Sequence, residues 1–168
     1  SADRVDAILV QRAYPDFAEV QMIADVLSAK PRDLLPPVLR PGEEVVVLRR
    51  SLATSYEFPD AGNPCYRFEQ LARSSAQPYM KSFILTVFPD RRGDELRVPL
   101  HQYIYNYGND PVALEAASAD GTREVALAPG DSAYVTPMTG CRFSGVSGHG
   151  GELYLVRVPG DLHADAVF

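Results

Sequence analysis

A chain of 168 residues with a formal charge of −6, 46% hydrophobic and 23% charged residues, has the balance of a core-bearing globular domain with a small appendage. Its sequence pI near 5.0 disfavours nucleic acid as the main partner, because phosphate binding wants a clustered basic face. No apolar run approaches a membrane span, and Ser1-Ala2-Asp3-Arg4 lacks the regions of a signal peptide. Cys65 and Cys141 give neither a disulfide framework nor a zinc spacing, so cytoplasmic residence away from membranes is the expectation.

Taken in chain order, Val5, Ile8 and Leu9 lie on one face of a predicted helix over residues 4–12. Asp16 is a fair N-cap for a second helix whose stripe is Phe17, Val20, Ile23, Ala24 and Leu27. A short helical turn is predicted at Pro31–Leu35. Pro36-Pro37 and Pro41-Gly42 then mark a linker. Beyond it the apolar period changes from 3.6 to 2. Strands are predicted at Val45–Leu48, Phe83–Phe88, Val98–Tyr107 and Val112–Glu115. Others follow at Arg123–Leu127, Ser132–Val135, Cys141–Phe143 and Leu153–Val158. Asn-Asp-Pro, Asp-Gly and Pro-Gly-Asp turns between them imply a closed or sandwiched antiparallel sheet. The expected division is a helical segment at 1–36, a barrel at 43–160 and a tail at 161–168.

A mononuclear non-haem iron site needs about three inward ligands, usually two His and a carboxylate. The histidines are His101, His149 and His163; the last two read as loop or tail residues. The basic residues are nearly all Arg, whose planar fork suits carboxylate or phosphate groups. An acidic, Arg-rich chain could hold a small anion, although compositional bias explains the Arg content equally well. Val98–Tyr107 alternates so that His101, Tyr103, Tyr105 and Tyr107 share a face, which either lines a pocket or fills a small barrel.

His101-Gln102-Tyr103-Ile104-Tyr105-Asn106-Tyr107-Gly108 and the stretch from Pro129-Gly130-Asp131 to Cys141-Arg142 resemble the two motifs of the cupin barrel. Helices followed by such a barrel resemble the cupin oxygenases of phosphonate metabolism, of the hydroxyethylphosphonate dioxygenase and methylphosphonate synthase type. Phe17–Leu27, Arg32–Pro36 and Glu44–Ser51 look like the end of the helix-turn-helix-like segment of those proteins and its link to the barrel. The resemblance implies a mainly β fold, a cupin jelly-roll barrel behind that segment, with Fe(II) in the family's catalytic barrel. It places His101 in the slot of a ligating Glu, Arg142 in that of a ligating His, and the remaining two His slots within Asp94-Glu95-Leu96-Arg97. At most one of the four keeps a metal-binding side chain, which matches the metal-free second half of such tandem proteins.

The expectation is therefore a degenerate, non-catalytic cupin with a structural or lid role beside a catalytic cupin half, with no cofactor of its own. Arg142, His101, Tyr103 and Tyr105 are the candidate ligand-binding residues, for a small anion such as a phosphonate or carboxylate. Arg142 could equally lean into water. Two alternatives stay open: an anion-sensing cupin of a transcription regulator, and an active iron oxygenase with an unusual ligand set around His101. Substrate and oligomeric state, including a homo-oligomer, are left open by the sequence.

Overall fold

The structure, a computed structural model, describes residues 2–10, 12–35, 41–42, 44–59 and 62–159. The expected linker at Pro36-Pro37, the tail and His163 lie outside the described residues. The chain divides into two compact units, Ser1–Leu39 and Arg40–Phe168.

The first unit holds α1 (Ala2–Leu9), α2 (Phe17–Leu27) and a 3-10 turn, Pro31–Asp33. Asp16 caps α2 as the sequence indicates, in a reciprocal box. Its carboxylate accepts from the Glu19 N–H at 2.9 Å, and the Glu19 carboxylate accepts from the Asp16 N–H at 2.9 Å. The same Glu19 receives two bonds from Arg4 of α1, each 2.8 Å, so one side chain closes the helix end and ties the two helices together. The Arg4 guanidinium, as hydrogen-bond donor, is the main reason the Glu19 carboxyl titrates near 2 rather than at its ordinary 4.5. A depressed folded-state value means that the contribution is fully present above pH 4.5 and is lost as pH falls through about 2. Acid titration followed by NMR is expected to show the amides of Asp16 and Glu19 shifting in that window, with Glu19→Gln abolishing the step.

The second unit is built from β1 (Ser55–Phe58), β2 (Tyr66–Gln70), β3 (Lys81–Val87), β4 (His101–Asn106), β5 (Val112–Ser118), β6 (Gly121–Leu127), β7 (Ser132–Val135), β8 (Cys141–Gly145) and β9 (Gly151–Val158). Six strands form one antiparallel sheet in the order β1-β2-β3-β9-β4-β7. Three form another in the order β6-β5-β8. The last strand, β9, sits in the middle of the large sheet, pairing Leu85 with Leu153 on one side and Ile104 with Leu155 on the other.

Two expectations are corrected here. Val45–Leu48 is not a strand: it has no ladder partner, and Val45 and Val47 are mostly exposed. An apolar run supplies side chains for a sheet but no backbone partner, and none reaches it among the described residues. Conversely β1 and β2 arise in the Tyr- and Arg-rich stretch between Ser51 and Tyr79, where no strand is expected from the sequence reading.

Between the sheets lies one core, in which Phe68, Leu85, Val87, Ile104, Val112, Leu153, Leu155 and Phe143 are almost wholly buried. Tyr66 joins the sheets through its hydroxyl, which accepts from the Phe143 N–H at 2.9 Å and faces the carbonyls of Asp94 and Phe143 at 3.0 and 3.1 Å. Burial pushes the Tyr66 pKa up, so the phenol stays protonated and able to donate. Its ring meets Phe143 edge-on at 6.3 Å.

Candidate functional site

The face that each strand turns inward decides which side chains can form a site. In β4 the buried positions are Gln102, Ile104 and Asn106, while Tyr103 and Tyr105 are exposed and His101 half-buried. The row of His101, Tyr103 and Tyr105 therefore lies on the outer face of the large sheet and not inside the barrel. The alternation itself is as expected; the choice between its two faces goes the other way. Asn106 is why: its amide donates to the Leu127 carbonyl at 2.9 Å and the Asp110 carbonyl at 3.0 Å. Its Oδ1 accepts from the Gly108 N–H at 3.1 Å. A fully bonded amide is at home in a core, whereas phenols keep their tips wet at the surface. There His101 Nδ1 is hydrogen-bonded to the Tyr134 hydroxyl, and Tyr103, Tyr105, Tyr134 and Tyr154 line a shallow cleft of about 400 Å³.

The same parity governs β8. Cys141 and Phe143 are buried, and Arg142 between them points outward. Its guanidinium lies 3.5 Å from Glu95 and 3.7 Å from Glu115, with the side chain 30% exposed. Arg97 bonds Glu95 at 2.9 Å and Arg92 bonds Glu115 at 3.1 Å, giving a five-member charge chain across the surface. Arg97 first, with Arg142 behind it, holds the Glu95 carboxyl below its usual range. Partly exposed ion pairs of this kind contribute little. Arg142→Ala is therefore expected to cost less than about 1 kcal/mol in chemical denaturation. A loss of several kcal/mol would show a buried role for Arg142.

What faces inward at the cupin-motif positions is a different set: Leu96, Gln102 and Cys141, each under a tenth exposed. They are joined by Arg157 of β9, the register partner of Gln102 and 8% exposed. Arg157 Nε donates to Gln102 Oε1 at 3.1 Å, and Gln102 Nε2 lies 3.7 Å from Cys141 Sγ. The guanidinium carbon stands 5.4 Å from the Phe68 ring centre and 5.6 Å from that of Phe83. Burial raises the Cys141 thiol, keeping it protonated. The sequence reading overlooked Arg157. Its signal was parity, since it shares a face with Leu153 and Leu155.

These residues do not fit an iron site of the two-His, one-carboxylate kind. A neutral thiol and an amide are poor ligands for Fe(II), and a fixed positive charge beside them repels a divalent cation. Among the described residues no group of three or more His, Cys, Asp and Glu is placed to hold a metal.

The fold and site can now be set beside known proteins. No family model matches the chain. It is 30% identical over 167 residues to the methylphosphonate synthase of Nitrosopumilus maritimus (strain SCM1), covering 99% of this chain and 35% of that protein. Its structure superposes on that of Streptomyces albus HEPD with bound 2-hydroxyethylphosphonate and Fe(II). There the TM-score is 0.67 and the identity 30%, over 98% of this chain and 37% of that one. Hydroxypropylphosphonic acid epoxidase from S. wedmorenis aligns with a TM-score of 0.60 at 17% identity, which bears on the fold alone. The fold is thus a cupin-type barrel with a small N-terminal helical segment, and the chain resembles the cupin phosphonate oxygenases. It spans about a third of the length of the two relatives matched at 30% identity. Among the described residues no helix is long and apolar enough to cross a membrane.

Proposed function

We propose that this chain is a metal-free cupin portion of a non-haem iron oxygenase that acts on phosphonates, non-catalytic in itself and structural or lid-forming beside a catalytic cupin half. The single observation that carries this reading is the interior set: Leu96, Gln102 and Cys141 are buried within or next to the slots where the resemblance expects ligands, and Arg157 of β9 is bonded to Gln102. A guanidinium there supplies the positive charge without any capacity to bind oxygen or exchange ligands. The similarity to iron- and phosphonate-handling proteins over part of their length supports a catalytic partner half. Commitment of Arg4 to Glu19 leaves α1 without a free basic side chain at that point, which weighs against the transcription-regulator alternative.

The test is anaerobic loading with Fe(II), removal of excess metal, and metal analysis together with oxygen uptake in the presence of 2-hydroxyethylphosphonate. The expected result is well under one iron per chain and no phosphonate-dependent uptake. Stoichiometric iron that disappears in His101→Ala, Gln102→Ala or Cys141→Ala would overturn the proposal and revive the active-oxygenase reading.

A further inference from the structure

The wall of the barrel is not closed all round. β6 and β7 each end their own sheet, and no ladder joins them among the described residues. Between them opens a cleft of about 410 Å³, within the size range of small-ligand pockets. Its floor is the inner face of both sheets, where Leu114, Leu127 and Val135 are buried. Ala116 and Ala133 lie half-buried against the same core, one on each sheet. These two alanines leave the space, because a methyl group reaches less far than the Leu and Phe side chains that fill the rest of the interior. None of Leu96, Gln102, Cys141 and Arg157 lines the cleft, so it is separate from the motif positions described above.

The cleft has a direction. Along β6, Leu127 pairs with Val112 at one end and Arg123 pairs with Ala116 four residues away, a span of about 13 Å. The turn at 128–131 joins β6 to β7 at the Leu127 end, held by a 2.9 Å bond from the Asp131 N–H to the Ala128 carbonyl. At the other end the Ala117 N–H donates to the Gly140 carbonyl at 2.9 Å, which sets Thr136 and Thr139 on the Arg123 side. Their hydroxyls bond each other at 2.7 Å, and such a pair keeps one hydroxyl hydrogen to give. Arg123 has no hydrogen-bond or ion-pair partner among the described residues. Parity keeps acids away from it: Glu115 and Glu124 pair on the opposite face of the small sheet, and no carboxylate lines the cleft. An apolar trough that ends in one free guanidinium and an unspent hydroxyl is matched by an aliphatic chain carrying a single carboxylate. The chain covers the floor, and the planar fork takes both oxygens. A dianionic head would bring a second charge with no cation there to meet it.

We infer that the cleft between β6 and β7 binds a small aliphatic carboxylate, its chain on the alanine floor and its head on Arg123. The experiment titrates the full chain with sodium octanoate, kept below the concentration at which it forms micelles, and follows the backbone amides by NMR. 1-Octanol, methylphosphonate and sodium chloride at matched ionic strength are the other arms. Saturable shifts are expected at residues 114–118, 123–127 and 132–139, around the cleft. Arg123 is exposed, so Arg123→Met keeps the fold. Its affinity for octanoate is expected to fall at least about tenfold, and that of Arg142→Met, on the outer surface, to stay unchanged. Ala133→Leu fills the floor and is expected to abolish binding while Arg123 remains. The absence of saturable shifts, or shifts centred on the exposed apolar residues of α1 and α2, would overturn the site. So would 1-octanol binding as tightly as octanoate, displacement of octanoate by methylphosphonate, or undiminished affinity in Arg123→Met. No outcome bears on iron content, so this site and the proposed function can fail separately.

Discussion

Tyr66→Ala is expected to lower the unfolding free energy by about 4–5 kcal/mol, the upper range for losing a buried aromatic. That is at least about a quarter of the 5–15 kcal/mol available to a typical domain, and nearly all of it at the lower end of that range. The side chain is fully buried, and its ring is packed by Phe58, Phe68 and Phe143. Deleting it opens a cavity and also strands the Phe143 N–H, which bonds the phenol and not a strand neighbour. Tyr66→Phe separates the two contributions. It keeps the ring and removes the hydroxyl, leaving one buried donor without a partner at a cost of about 1–3 kcal/mol. Urea denaturation of the three proteins measures both steps. A Tyr66→Phe variant as stable as the parent would mean that the hydroxyl bridge between the sheets contributes nothing.

Gly93→Ala is expected to be nearly as severe, upwards of about 3 kcal/mol, because overpacking a rigid site cannot be relieved by rotation. A Cβ there would stand 1.8 Å from the Tyr66 hydroxyl and 2.2 Å from the Phe143 carbonyl oxygen. One obstacle is a side chain held by three polar neighbours, and the other is strand backbone. Combining Gly93→Ala with Tyr66→Ala removes the first obstacle and leaves the second. The double variant should then be less destabilised than the sum of the singles, by an interaction energy of order 1 kcal/mol. Strict additivity would show that Gly93 does not pack against Tyr66.

Much of the barrel is readable from the chain because the strands from β3 to β9 are marked by short apolar runs or by alternation between turn signals. The Asp16–Glu19 box is equally plain. What alternation alone does not settle is which of its two faces goes inside. For His101–Asn106 the larger, more aromatic face looked like the inner one, but the amides of Gln102 and Asn106 have internal partners that the sequence cannot display. At Cys141–Phe143 the neighbours of Arg142 are the stronger core formers, and at Leu153–Val158 Arg157 shares a parity with two leucines. Reading parity strand by strand would have exchanged Arg142 for Arg157 as the interior cation. The error at Val45–Leu48 and the omission of Tyr66–Gln70 have a common source. A strand is defined by its pairing, and pairing leaves no mark in local composition: Tyr66–Gln70 is paired on both sides, by β1 and β3, whereas Val45–Leu48 has no ladder partner among the described residues.

The central place of β9 bears on how this molecule comes into being. Lys81 pairs with Arg157 and His101 with Val158, so the large sheet is two fragments, β1-β2-β3 and β4-β7, until the last strand arrives between them. On the ribosome, the inner edges of β3 and β4 must wait, with their backbone amides and carbonyls unpaired, while more than fifty further residues are added after β4. Long loops of this kind close slowly, and open strand edges recruit other chains while they wait. The hazard for this barrel is therefore concentrated in its birth, and protection of those two edges by a chaperone matters most in the interval before β9 emerges.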